Sequence, residues 1–117
     1  EEIMSMNPNY QDHNRFPAVK SPTWASVFKP GTNTEAIDLV SKLLVYYPNK
    51  RYKAIEACGH SFFDELRDPK TRFREEYHAE NLFAFTDEEM ALNPDMINVL
   101  VPKHIKEQKW NADKVKA

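Results

Sequence analysis

The stretch from Leu43 to Phe63 constrains this chain more than any other. Leu43, Leu44, Val45, Tyr46 and Tyr47 form an apolar helix end that runs into Pro48. Proline has no N–H to donate, and it pushes the residue before it out of helical geometry. A loop carrying Arg51 follows, then a short helical pattern with Ile55 and Ala57, then the aromatic pair Phe62 and Phe63. Arg51 therefore lies between two apolar segments, where a guanidinium is tolerated if carbonyls or a carboxylate take its fork of donors. The nearest acid, Glu56, stands one helical turn away. On these residues alone Arg51 reads as a surface arginine with its stem laid on apolar neighbours.

Upstream, residues 1–6 have the pattern of a short helix with acids in its first turn, closed by Asn7-Pro8. Residues 7–33 carry Pro8, Pro17, Pro22 and Pro30 among Tyr10, Phe16, Val19, Trp24, Val27 and Phe28. So many aromatics predict a structured loop laid across helices, with a helical turn over 22–28. Thr32-x-x-Glu35 has the spacing of a capping box. The helix it opens has Ile37, Val40, Leu44 and Tyr47 on one face, and Ala36, Leu39 and Leu43 widen the stripe until most of its circumference is apolar. Such a helix is expected to be central. Downstream, a helix over 54–58 starts without a good cap, so fraying is expected there. Gly59 permits a left-handed residue, His60 reads as a structural hydrogen-bond donor, and Ser61 as the cap of a final turn over 62–66. Residues 70–80 are strongly charged. Leu82 to Phe85 resumes the apolar pattern, Thr86-x-x-Glu89 is a second capping box, and Asn93-Pro94 opens another short helix.

With 117 residues there is room for one domain. The 41% apolar and 29% charged fractions are those of a globular segment rather than a disordered one. Sixteen basic against 18 acidic side chains give a net charge of -2, which points away from nucleic acid and anionic membrane as partners. No apolar run approaches the roughly 20 residues of a membrane helix. The single cysteine, Cys58, excludes an internal disulfide, suits a reducing compartment, and reads as a small packed residue. The start at Glu1-Glu2-Ile3 reads as the inside of a helix, as in a piece of a longer protein.

The pattern Leu43-Leu44, Pro48, Arg51, Glu56, His60, Phe63 resembles the last block of eukaryotic protein kinases. Asn7-Pro8-Asn9-Tyr10, Phe16-Pro17, Glu56-Ala57-Cys58, the run His60 to Pro69 and Leu82-Phe83-Ala84-Phe85 narrow it to the glycogen synthase kinase-3 (shaggy) family. The likeness runs in order along nearly the whole chain. Asn7 to Tyr10 and the Leu82 to Phe85 segment argue against a kinase of the cyclin-dependent or mitogen-activated type. The resemblance implies a mainly α fold, the C-terminal portion of a kinase large lobe, with helices joined by long proline- and aromatic-rich loops. It divides the chain into lobe helices over 1–69, a C-terminal extension over 70–108 and a polar tail over 109–117. It implies that Arg51 is buried and pairs with a glutamate of the activation segment upstream. It also implies that Tyr10 and Phe16 line a groove for an amphipathic helix from scaffold partners. The sequence departs from the family at Lys53-Ala54, at the glycine-free stretch 70–80, and between Gln11 and Arg15.

A kinase needs a glycine-rich phosphate loop, a strand lysine, and catalytic and metal-binding aspartates. None of those motifs occurs here, and the two glycines, Gly31 and Gly59, lie in no phosphate-binding spacing. The segment by itself is therefore expected to be inactive, with no catalytic, cofactor or metal residue. The resemblance gives the parent chain ATP-dependent phosphoryl transfer to serine or threonine, with ATP and Mg as cofactors. Its expected partners are protein substrates, scaffold-type helical peptides and the remainder of the kinase domain, in a cytoplasmic or nuclear compartment. The alternative is a stand-alone helical interaction module without catalytic activity.

Overall fold

The computed structural model describes residues 1–11, 17–74 and 76–107. Phe16 and the tail over 109–117 lie outside the described residues. Regular structure is helical, and no strand occurs among the described residues. The chain divides into two units, Glu1–Tyr52 and Lys53–Ala117.

In the first unit α1 spans Glu2–Met6 and ends where the Asn7 N–H donates to Ile3 O at 2.9 Å. Asn7 then turns the chain, its Oδ1 accepting from the Asn9 N–H at 3.1 Å and its carbonyl from the Tyr10 N–H at 3.0 Å. α2, Trp24–Val27, falls within the helical turn expected over 22–28.

α3, Thr34–Leu43, is capped by Asn33 rather than Thr32. The Thr32 hydroxyl is already committed to Lys29 O at 2.7 Å, in a turn that Gly31 closes with φ +86. Asn33 Oδ1 accepts from the Ala36 N–H at 3.0 Å, which places Glu35 one position too early for a box with this cap. Of the apolar stripe, Leu39 is buried, Ala36, Ile37 and Val40 are half-buried, and Leu43 is exposed. Within this unit α3 is thus less enclosed than a central helix would be. On its polar side Lys42 Nζ meets Asp38 Oδ2 at 2.6 Å and lies 5.6 Å from the centre of the Tyr52 ring. The hydrogen bond to Asp38 raises the Lys42 pKa above the ordinary lysine value.

In the second unit α4 spans Ala54–Cys58. Lys53 offers no side-chain acceptor, but Glu56 Oε2 reaches back to its backbone N–H at 3.0 Å. Half a capping box thus holds the helix start that was expected to fray. Gly59 has φ -82, an ordinary right-handed value, so left-handed geometry is not the reason for glycine. The end of the Met96 side chain occupies the space a Cβ would take, and as a flexible methyl it could move aside. His60 takes the capping role expected of Ser61, and its Nδ1 acts as acceptor rather than donor, receiving the Phe62 N–H at 3.0 Å. A 3₁₀ turn, Ser61–Phe63, leads into α5, Asp64–Arg67. Phe62 and Phe63 meet edge to face with centroids 5.2 Å apart.

Asp68 Oδ1 accepts from the Lys70 N–H at 2.8 Å, and the Thr71 hydroxyl donates to Glu65 O, so the chain folds back on α5 before it becomes charged. α6 spans Ala79–Leu82. α7, Asp87–Leu92, carries the expected box in full: Thr86 Oγ1 accepts from the Glu89 N–H at 3.2 Å, and Glu89 Oε2 from the Thr86 N–H at 2.8 Å. Pro94–Met96 forms a second 3₁₀ turn, α8 spans Ile97–Leu100, and residues 103–107 are helical. The core of this unit is Ile55, Phe83, Leu100 and Ile105, the last two only 1% and 2% exposed.

Two outcomes test these caps. Asn33→Ala should cost about 1 kcal/mol in urea unfolding and Thr32→Ala less than half of that, because only Asn33 satisfies a helix-end N–H. The Glu88 carboxyl is held below the ordinary glutamate value by its own backbone N–H and by Thr86. A depressed folded pKa gives stability that is present above the unfolded value and lost as pH falls through the folded one. Thr86→Ala should therefore lower stability at neutral pH and flatten its decline as pH falls from the ordinary glutamate value through the lower folded one.

Candidate functional site

Tyr10 is half-buried at the end of the Asn7 turn. Phe16 falls outside the described residues, so a Tyr10–Phe16 groove has no described geometry.

Arg51 is exposed in this chain, not buried. Its Nε donates to Val45 O at 2.8 Å and its Nη2 to Tyr46 O at 3.2 Å. These carbonyls lie past the end of α3, which stops at Leu43 rather than running through Tyr47 to Pro48 as the sequence suggests. Arg51 Nη1 has no partner among the described residues. The arginine is thus held against the backbone with part of its fork unused, and Tyr46 and Leu44 beside it in sequence are each 62% exposed.

The enclosed arginine is Arg67, whose side chain is 11% exposed. Its Nη1 donates to Cys58 O at 2.8 Å, and its Nη2 to His60 O at 2.6 Å and Asp64 Oδ1 at 2.7 Å, with Gly59 O at 3.5 Å. Three successive carbonyls at the end of α4 therefore converge on one guanidinium from the last turn of α5. Which contact matters most follows from solvation. Asp64 is 69% exposed, and an ion pair with so open a partner is worth roughly 0–1 kcal/mol. Arg67 donates to Cys58 O at the end of α4 and shares His60 O with the Phe63 N–H, and a bond from a charged group to a carbonyl is worth about 1.5–3 kcal/mol. Arg67 therefore joins α4 to α5 chiefly through the backbone. Its sequence signal was local: an arginine in the last turn of a short helix, just after another helix has ended.

Beside this joint lies an open cavity of about 180 Å³, walled by Phe63, Leu66, Leu82, Phe83, Phe85 and Leu100, with Cys58 and Arg67 also lining it. Cys58 is exposed rather than packed away. The 3₁₀ turn after α4 carries the chain inward through buried His60, and Cys58 is left on the open side. Among the described residues no group of three His, Cys, Asp or Glu side chains is arranged to hold a metal ion. Among them, too, no helix is long and apolar enough to cross a membrane. No protein-family model matches the chain.

Replacing the two arginines separates their roles. Arg67→Met should cost about 2–3 kcal/mol, with Arg67→Lys recovering less than half, since an ammonium cannot span the carbonyls. Arg51→Met in this chain should cost about 1 kcal/mol or less. Equal losses in chemical denaturation would contradict the assignment.

Proposed function

We propose that these residues form the C-terminal part of the large lobe of a serine/threonine protein kinase resembling glycogen synthase kinase-3, and that catalysis belongs to the parent chain. The observation that carries this reading is the half-used fork of Arg51. Two of its nitrogens are fixed on the carbonyls of Val45 and Tyr46, which pre-orients the guanidinium, and the third is left for a carboxylate from elsewhere. The exposed Leu43, Leu44 and Tyr46, five to eight positions before it, give a second surface something apolar to cover. In the parent kinase, ATP and Mg would be held by upstream motifs. This segment would brace the activation segment through Arg51 and offer Tyr10 and Phe16 to helical scaffold peptides, in a cytoplasmic or nuclear setting.

A second reading, a helical interaction module without catalysis, is favoured by the core that the Lys53–Ala117 unit builds around Leu100 and Ile105. The two differ in what the intact native protein does. On the kinase reading it is larger than 117 residues and phosphorylates serine or threonine peptides with Mg-ATP. Arg51→Met in it then lowers turnover by at least about tenfold, or about 1.4 kcal/mol, with nucleotide binding kept. Activity unaffected by Arg51→Met would remove the brace, and a native protein without phosphoryl transfer would leave the interaction module.

A further inference from the structure

The cavity beside α5 combines two properties that the proposed function does not use. Its wall is apolar, and an arginine stands in it with donor capacity to spare. Arg67 bonds through Nη1 and Nη2, while its Nε has no partner among the described residues. No buried side-chain nitrogen or oxygen among them lacks a partner, so that Nε–H is not sealed from solvent. Its charge is not cancelled either, because the one carboxylate on it, Asp64, is 69% exposed and shares its own charge with water.

Size and polarity then select a ligand. A cavity of about 180 Å³ exceeds the roughly 150 Å³ at which a pocket lined by leucine, isoleucine and phenylalanine accepts one benzene ring. A phosphate dianion would lose its hydration against Phe63, Phe83 and Leu100 with little in return. A carboxylate carries half that charge, and one of its oxygens can accept a single charge-assisted bond from the Nε–H left over. We propose that the cavity is a binding site for a small aryl carboxylate, with the ring seated among the phenylalanines and leucines and the carboxylate accepting from the Arg67 Nε–H. The site lies wholly within the Lys53–Ala117 unit and does not depend on the kinase reading.

Cys58 supplies a reporter, since it is the chain's single cysteine, is exposed and lines the cavity. The full chain is titrated with hydrocinnamate while the rate of Cys58 modification by an aromatic disulfide reagent and the melting midpoint are followed. Hydrocinnamate should slow the reaction saturably and raise the midpoint, and hydrocinnamyl alcohol, which keeps the ring but not the charge, should need about tenfold more for the same effect. Acetate should do neither. Arg67 is unsuitable as the test variant because it holds α4 to α5. Leu82 is 53% exposed and lines the cavity, so Leu82→Trp should narrow the cavity and abolish protection while the unliganded midpoint is retained. Absence of saturable protection, equal potency of the alcohol, or protection that survives Leu82→Trp would each overturn the proposal.

Discussion

The Lys53–Ala117 unit depends on one cation meeting the end of one helix. α4 has five residues, too short to be stable by itself; the Gly59 and His60 N–H groups close on the carbonyls of Ile55, Glu56 and Ala57. Arg67 adds a tie from α5, to Cys58 and His60 at hydrogen-bond distance and to Gly59 at its limit. With that joint fixed, His60 sits inward with Nδ1 on the Phe62 N–H, and the 3₁₀ turn that follows has a defined direction. Gly59 belongs to the same arrangement, since its missing side chain is where the Met96 methyl lies. A surface ion pair would not join two helices in this way; a largely enclosed guanidinium bonded to backbone carbonyls does.

The Glu1–Tyr52 unit works differently. Its order comes from local devices: the Asn7 turn, the Gly31 turn, the Asn33 cap and the Asp38–Lys42 pair. None of these encloses much apolar surface, and Leu39, still 8% exposed, is the one buried residue of α3. The contrast between a unit with a core and a unit held by caps and turns underlies the proposed function. A helix as apolar as α3 with so open a face is what a lobe fragment would present to the rest of its lobe.

Much of this was legible in the sequence, and the misses share a cause. α1, α2, α4 and α7 lie where periodicity, proline and capping patterns put them. Thr86 and Glu89 could be read because a full capping box involves only neighbours in sequence. Thr32 and Ser61 were each one residue from the true caps, because the Thr32 hydroxyl was drawn into the preceding turn and a histidine nitrogen did the work expected of a serine oxygen. Gly59 does not take the left-handed geometry its residue type suggests, and its neighbour in space, the Met96 methyl, lies 37 positions further along, which no one-dimensional pattern reveals. The arginine was the largest displacement. Arg51 drew attention because it interrupts apolar sequence, whereas Arg67, inside a charged run, became central only when the end of α4 came within its reach.

The two units differ in how far their helices are enclosed, and amide hydrogen exchange of the 117-residue chain measures that difference most directly. Amides near Leu100 and Ile105 and at the Arg67 joint should exchange slowest, and those of α3 markedly faster despite the helix's length, because its face is open. Protection of α3 equal to that of the Leu100 core would contradict the account, since the Glu1–Tyr52 unit would then need no further surface to cover it.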